Sequence, residues 1–102
     1  SLRVFDDSEG KMNLNLSAVQ GDVLVISQFT LFANPYRGNR PSFINAAPPE
    51  RARELYRFFI QELKQKGITV EEGVFQANMA VHLTNDGPVT IWIDSRDRFL
   101  KS

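Results

Sequence analysis

At 102 residues, with 42% hydrophobic and 11% aromatic residues, the chain falls in the single-domain range and is too apolar for a disordered polymer. It contains no Cys, which excludes a disulfide framework and a thiolate metal site and suits a reducing compartment, so the cytoplasm is the expected location. Twelve basic and twelve acidic residues cancel, giving no general pull toward nucleic acid or an anionic membrane. No apolar run reaches the length of a membrane span, and Ser1–Phe5 lacks the regions of a signal peptide. The charge is unevenly spread: residues 34–66 carry seven basic and three acidic groups, whereas both flanks are net acidic. That middle segment, with Arg37, Arg40, Arg51, Arg53 and Arg57, either meets a phosphate backbone or forms the solvated face of a helix.

The chain opens inside an apolar pattern with no cap or turn before it, and its start is expected to be cut. From Leu2 to Leu16 it reads as two short strands around Asp6-Asp7-Ser8-Glu9-Gly10, a polar cluster ending in Gly that suits a hairpin turn. Val23 to Phe32 is almost continuously apolar, with Val23, Val25 and Ile26 β-branched, which predicts a central strand buried on both faces. Asn34 to Pro41 is dense in turn formers and ends that strand in a loop. Pro48-Pro49-Glu50 places proline and an acid at a helix start, and Lys64, Lys66 and Gly67 supply its stop. Between them Ala52, Leu55, Tyr56, Phe59, Ile60 and Leu63 recur at helical spacing, predicting one long amphipathic helix packed on a sheet. Ile68 to Glu72, Met79 to Thr84 and Val89 to Asp94 alternate as strands, the last two joined through Asn85-Asp86-Gly87-Pro88. The order predicts an α+β fold with mainly antiparallel sheet.

Few residues offer strong chemistry. The single His82 lies in an alternating segment, and one imidazole without Cys makes no metal cluster of familiar spacing. There is no G-x-S-x-G elbow, P-loop or G-x-G-x-x-G; neither metal nor cofactor is expected. Any reaction must then rest on hydroxyls, amides and backbone, which confines it to an activated bond. Ser27-Gln28-Phe29-Thr30-Leu31 puts three polar side chains where a core strand is normally apolar, and buried polar groups require partners. Either Ser27 and Thr30 bond neighbouring backbone while Gln28 faces water, or the strand end opens onto a pocket with N–H groups available to a developing oxyanion. Asn85-Asp86-Gly87-Pro88-Val89-Thr90 is a second candidate. Glycine before proline relieves a steric restriction, but X–Pro bonds are mostly trans and the pair alone marks only a turn.

Together these two segments, on either side of the Pro-Pro helix, resemble the signature motifs of the D-aminoacyl-tRNA deacylase (D-Tyr-tRNA(Tyr) deacylase) family. Gly10–Leu14, Gly38–Phe43 with Ala46–Pro49, and Phe75–Met79 resemble the family in order and spacing as well. The resemblance implies barrel-like, mainly antiparallel sheets packed on the helix in a dimer. It makes residues 1–102 a single domain, the C-terminal two-thirds of a deacylase-like domain. Family members carry an earlier segment with strands, a helix and an Arg that holds the Gly-Pro pair. The implied activity is hydrolysis of the ester of D-aminoacyl-tRNA, a proofreading step in translation. Thr30, Gln28 and Phe29 would form the catalytic floor, Thr30 positioning water rather than attacking, since nothing in the sequence activates its hydroxyl. Ser27 and Met79 would border the substrate. Gly87-Pro88, framed by Asn85, Asp86 and Thr90, would enter the other subunit's site as a cis dipeptide and exclude L side chains by clash. A nucleic-acid-binding or inactive, truncated member of the same fold stays open as the alternative.

Overall fold

In the computed structural model of the chain, which describes residues 2–36, 38–87 and 89–96, the first element is the expected hairpin. Strand β1 (Arg3–Asp6) pairs antiparallel with β2 (Met12–Asn15). Asp7 organises the turn: its Oδ1 accepts from the N–H groups of Glu9 at 2.8 Å and Lys11 at 3.0 Å, and its Oδ2 from the Asn13 amide at 2.8 Å. The Lys11 N–H, then the Asn13 side chain and the Glu9 N–H, hold the Asp7 carboxyl below its ordinary value of 3.8, because each bond favours the charged form. Gly10 takes φ +77°, a left-handed conformation that costs a residue with a Cβ more than glycine.

The apolar run from Val23 does not become one long strand. Strand β3 (Val23–Val25) pairs in parallel with β4 (Val70–Glu72), Val23 opposite Val70 and Val25 opposite Glu72. Two further bonds extend the ladder, Val23 N–H to the Thr69 carbonyl at 3.0 Å and Gly73 N–H to the Val25 carbonyl at 3.1 Å. Leu24 is 57% exposed, so β3 is not buried on both faces, and Phe29–Phe32 coils into a 3-10 turn. The cause is the short partner. Past Gly73 the neighbouring chain enters a turn closed by Ala77 N–H to Val74 O at 3.1 Å, so Ser27–Leu31 has no ladder to join and meets its backbone needs locally.

Helix α1 (Pro49–Gln65) follows its signals closely. Pro49 occupies the first turn, where its missing N–H costs nothing because first-turn N–H groups have no partner inside the helix. Glu50 lies in the first turn and Lys64 in the last, each on the favourable end of the helix dipole. Gly67, at φ +78°, ends the helix, with its N–H on the Lys64 carbonyl at 3.0 Å and the Ile68 N–H on the Leu63 carbonyl at 3.2 Å. The apolar stripe turns Ile60 inward to 4% exposure. Half-buried Tyr56 bonds through its hydroxyl to the Val25 carbonyl at 3.2 Å, with the Gly73 carbonyl at 3.5 Å. That contact seats the helix across the ends of β3 and β4.

The class is therefore α+β, with three departures from expectation. Among the described residues the sheets are two separate two-stranded pairs rather than a closed barrel. The longer pair is antiparallel as expected and the shorter one is parallel, a pairing the expectation did not include. Met79–Thr84 and Val89–Asp94 form no regular strand; alternation makes a strand only where a ladder partner exists, and none of the described strands pairs with them. The radius of gyration is 16.4 Å, above the ~13 Å of a compact domain of about this size. Ile60 is the one buried apolar residue among those described, while Phe58, Phe59, Trp92 and Ile93 are each more than half exposed.

Candidate functional site

Three segments converge beside the end of β3. Ile26 to Thr30 and Phe32 form one wall of an open cleft of about 630 Å³, Ala46 and Ala47 with Ala52 and Leu55 of α1 form its floor, and Phe75 to Met79 with Val81 form the facing wall. Each segment has a reason to be there. The first leaves β3 when its ladder ends, the second is delivered by the Pro-start of α1, and the third is the turn after β4. Three alanines on the floor keep the space open, since a larger side chain at Ala46, Ala47 or Ala52 would project into it.

Of the residues expected to carry the site, Ser27, Gln28, Phe29, Thr30 and Met79 all line this cleft. The Thr30 hydroxyl donates to Gln28 Oε1 at 2.6 Å, which commits the threonine proton to a neutral amide. A neutral amide oxygen is far too weak a base to take that proton in water's place. The Phe29 ring meets Phe43 edge-on at 5.1 Å between centroids, and Phe43 adjoins Ser42, which exchanges two backbone bonds with Asn34 at 2.6 and 2.9 Å. The loop from Asn34 to Pro41 is thus tied off at its base and braces the polar wall. At the start of the 3-10 turn no side chain caps the backbone, so the leading N–H groups at Phe29 and Thr30 have no acceptor within the turn.

Among the described residues no ionisable side chain lines the cleft; its polar groups are Ser27, Gln28, Thr30, Gln76 and Asn78. Such a lining can orient a substrate and stabilise developing charge by hydrogen bonding, and it offers no side-chain general base. His82 is exposed and outside the lining. Among the described residues no group of three His, Cys, Asp or Glu could hold a metal ion, and no helix is long and apolar enough to cross a membrane.

The second motif is elsewhere. Asn85, Asp86, Gly87 and Thr90 are exposed and do not line the cleft; Asn85 Nδ2 approaches Thr90 Oγ1 at 3.5 Å. The geometry of the Gly87-Pro88 bond lies outside the described residues, as does Arg37 of the basic segment. A Cβ built on Gly87 would collide with the backbone nitrogen of Val89, so the position needs glycine as the chain runs here.

Sequence reasoning singled out neither the alanine floor nor Phe75, Gln76 and Asn78 as site residues. The signal for the first was present in the small residues clustered at the helix start. For the second the signal was the family resemblance of Phe75–Met79, which assigned no role to these residues, while their contacts with α1 come from far along the chain.

The family model of D-Tyr-tRNA(Tyr) deacylase matches residues 1–94, a span that includes both motifs and the whole cleft. The chain belongs to the D-Tyr-tRNA(Tyr) deacylase family. Among curated relatives bearing the name D-aminoacyl-tRNA deacylase, that of Thermotoga petrophila is 54% identical over 96% of this chain and 66% of its own length. That of Fusobacterium nucleatum is 56% identical over 99% of this chain and 67% of its own. That of Deinococcus deserti is 59% identical over 91% and 64%. The chain thus spans about two thirds of the length of the deacylases it matches. All the residues that line the cleft fall within the span matched by the deacylase family.

Proposed function

We propose that the chain hydrolyses the ester bond of D-aminoacyl-tRNA, releasing the D-amino acid and free tRNA, and so acts in translation proofreading in the cytoplasm. The observation that carries this reading is the neutral cleft gathering Ser27, Gln28, Phe29, Thr30 and Met79 in a chain of the deacylase family. An aminoacyl ester is already activated, so a site without a side-chain base suffices if it positions water and meets the oxyanion.

In this reading the 3′ end of the tRNA enters the cleft with the ester against Gln28–Thr30. Water adds to the ester carbonyl, and its proton leaves through the neighbouring ribose hydroxyl rather than through a protein base. The negative charge that forms on the carbonyl oxygen is met by the uncapped N–H groups at Phe29 and Thr30. Thr30, its proton bound to Gln28, presents oxygen lone pairs that orient the water. The C–O bond to the ribose then breaks, and the tRNA hydroxyl takes up a proton.

Selection against L-amino acids is proposed to come from a second copy. The exposed Gly87 segment stands away from its own cleft, which supports a role for Gly87-Pro88, in cis form, inside a partner's cleft in a homodimer. The many large apolar side chains that stand exposed support such pairing, since burying apolar surface in an interface is favourable. We further propose that residues 1–102 act as one domain equivalent to the C-terminal two-thirds of a deacylase-like domain.

Incubation of the full chain with matched D- and L-aminoacyl-tRNA tests the reading, with amino acid release as the measurement. Release from the D substrate alone, lost when Thr30→Ala and Gly87→Ala are combined, is expected. Salt-dependent tRNA binding with no hydrolysis would instead favour a binding member of the fold.

A further inference from the structure

One wall of the cleft, the turn after β4, is held from outside by a single cation. Arg53 of α1 places its guanidinium carbon 5.1 Å from the centroid of Phe75, and its Nη2 donates to Gln76 Oε1 at 3.1 Å across 23 positions of sequence. One turn further along the helix, Tyr56 packs against the same ring at 5.6 Å between centroids. Gln76 has φ +65°, a left-handed conformation that side-chain-bearing residues adopt only when the surroundings require it. Within the turn the backbone contributes one bond, Ala77 N–H to Val74 O at 3.1 Å.

We propose that Arg53 is a positioning residue of the cleft: by capping Phe75 and bonding Gln76, it fixes the wall from Phe75 to Met79 against which substrate binds. This rests on the proposed function of the cleft. Gln76 lines the cleft on one side, and on the other it lines a second hollow that Arg53 also lines, so Arg53 acts from behind and need not touch substrate. A cation over an aromatic face and a hydrogen bond to a planar amide suit the guanidinium fork better than an ammonium. Without them Gln76 is free to leave its left-handed conformation, which re-aims Asn78 and Met79. The opposite wall, carrying Thr30 and Gln28, is braced separately through Phe29 and Phe43. Loosening the Phe75 wall therefore weakens binding in ground and transition states alike, which raises KM and leaves kcat nearly unchanged.

The test is steady-state hydrolysis of D-aminoacyl-tRNA by the full chain and by Arg53→Met, Arg53→Lys, Gln76→Ala and the double variant, with amide exchange at Ala77 measured in parallel. Arg53→Met is expected to raise KM about five- to tenfold with kcat within about twofold, and Arg53→Lys to recover part of the loss. Gln76→Ala should reproduce part of the effect, and the double variant should fall short of the product of the singles. Exchange at Ala77 should quicken in Arg53→Met whether or not hydrolysis occurs. Unchanged exchange, an unchanged KM, or a kcat loss that tracks a lowered Tm overturns the proposal. A wild-type chain that releases nothing while Arg53→Met still quickens Ala77 exchange sinks the proposed function and leaves Arg53 as the brace of this wall.

Discussion

The Tyr56 hydroxyl donates to the carbonyl oxygen of Val25 at 3.2 Å, tying the middle of α1 to the residue from which the polar wall of the cleft departs. Burial, and then the charge of nearby Glu72, raise the Tyr56 pKa above its ordinary 10.0, so the phenol keeps its proton throughout the neutral range. Tyr56→Phe keeps the ring against Phe75 and removes only the bond. It is expected to cost about 1 kcal/mol of stability, read as a lower midpoint in urea with an unchanged slope.

Thr30 and Gln28 form one hydrogen-bonded pair, so their effects on hydrolysis should not add. Thr30→Ala and Gln28→Ala are each expected to lower kcat/KM for D-aminoacyl-tRNA by about 10- to 100-fold, the range in which misplaced water and lost orientation fall. The double variant should be little worse than either single. Thr30→Ser, which keeps the oxygen, should retain most activity, and its loss would count against a water-positioning role.

Gly87→Ala brings a Cβ against the backbone nitrogen of Val89, and the exposed segment must move to admit it. Stability should hardly change, because the segment packs on little, and Tm measures that. If this segment filters substrate for a partner copy, the ratio of D to L release should fall by at least about tenfold, since displacements of an ångström are costly at a reacting centre. An unaltered ratio would remove Gly87 from substrate selection.

The Asp7 turn makes the hairpin sensitive to acid. The folded-state pKa of Asp7 lies below the ordinary 3.8, so its contribution is fully present above that value and is lost as the pH falls through the folded value. Asp7→Asn should therefore lower Tm most near neutral pH, and the gap to wild type should close as the pH drops below 3.8. Asp94 behaves likewise. Its carboxyl is held to about 2, first by its side-chain bonds to Arg96 and then by the Arg96 N–H, so its contribution is lost as the pH falls from about 3.8 toward about 2.

How much was legible in advance follows from how far each determinant reaches along the chain. The hairpin and α1 were readable because Asp7, Gly10, Pro49 and Gly67 act within a few residues of themselves. The end of β3 was not, because its length depends on β4 stopping at Glu72 some forty-odd residues later. The strands expected at Met79–Thr84 and Val89–Asp94 did not form for the same reason: their residues alternate, but among the described residues no strand pairs with them. For the cleft, Ser27–Thr30 stood out as polar residues in an apolar run and Met79 through the family resemblance. Phe75 and Gln76 were marked in the sequence only as part of the family-like stretch Phe75–Met79; their place in the cleft depends on Arg53 and Tyr56, one helix away, and Ala46, Ala47 and Ala52 contribute by what they lack.

The pairing of Val23 with Val70 also has a kinetic side. Parallel strands cannot be joined by a tight turn, so the polar wall, the alanine floor and all of α1 lie inside the loop that this pairing closes. Closing so long a loop is entropically slow compared with forming the hairpin or the helix. The polar wall and its facing wall come together only in that step, so refolding should recover helical signal well before it recovers the cleft, and during synthesis the cleft cannot exist until β4 has left the ribosome.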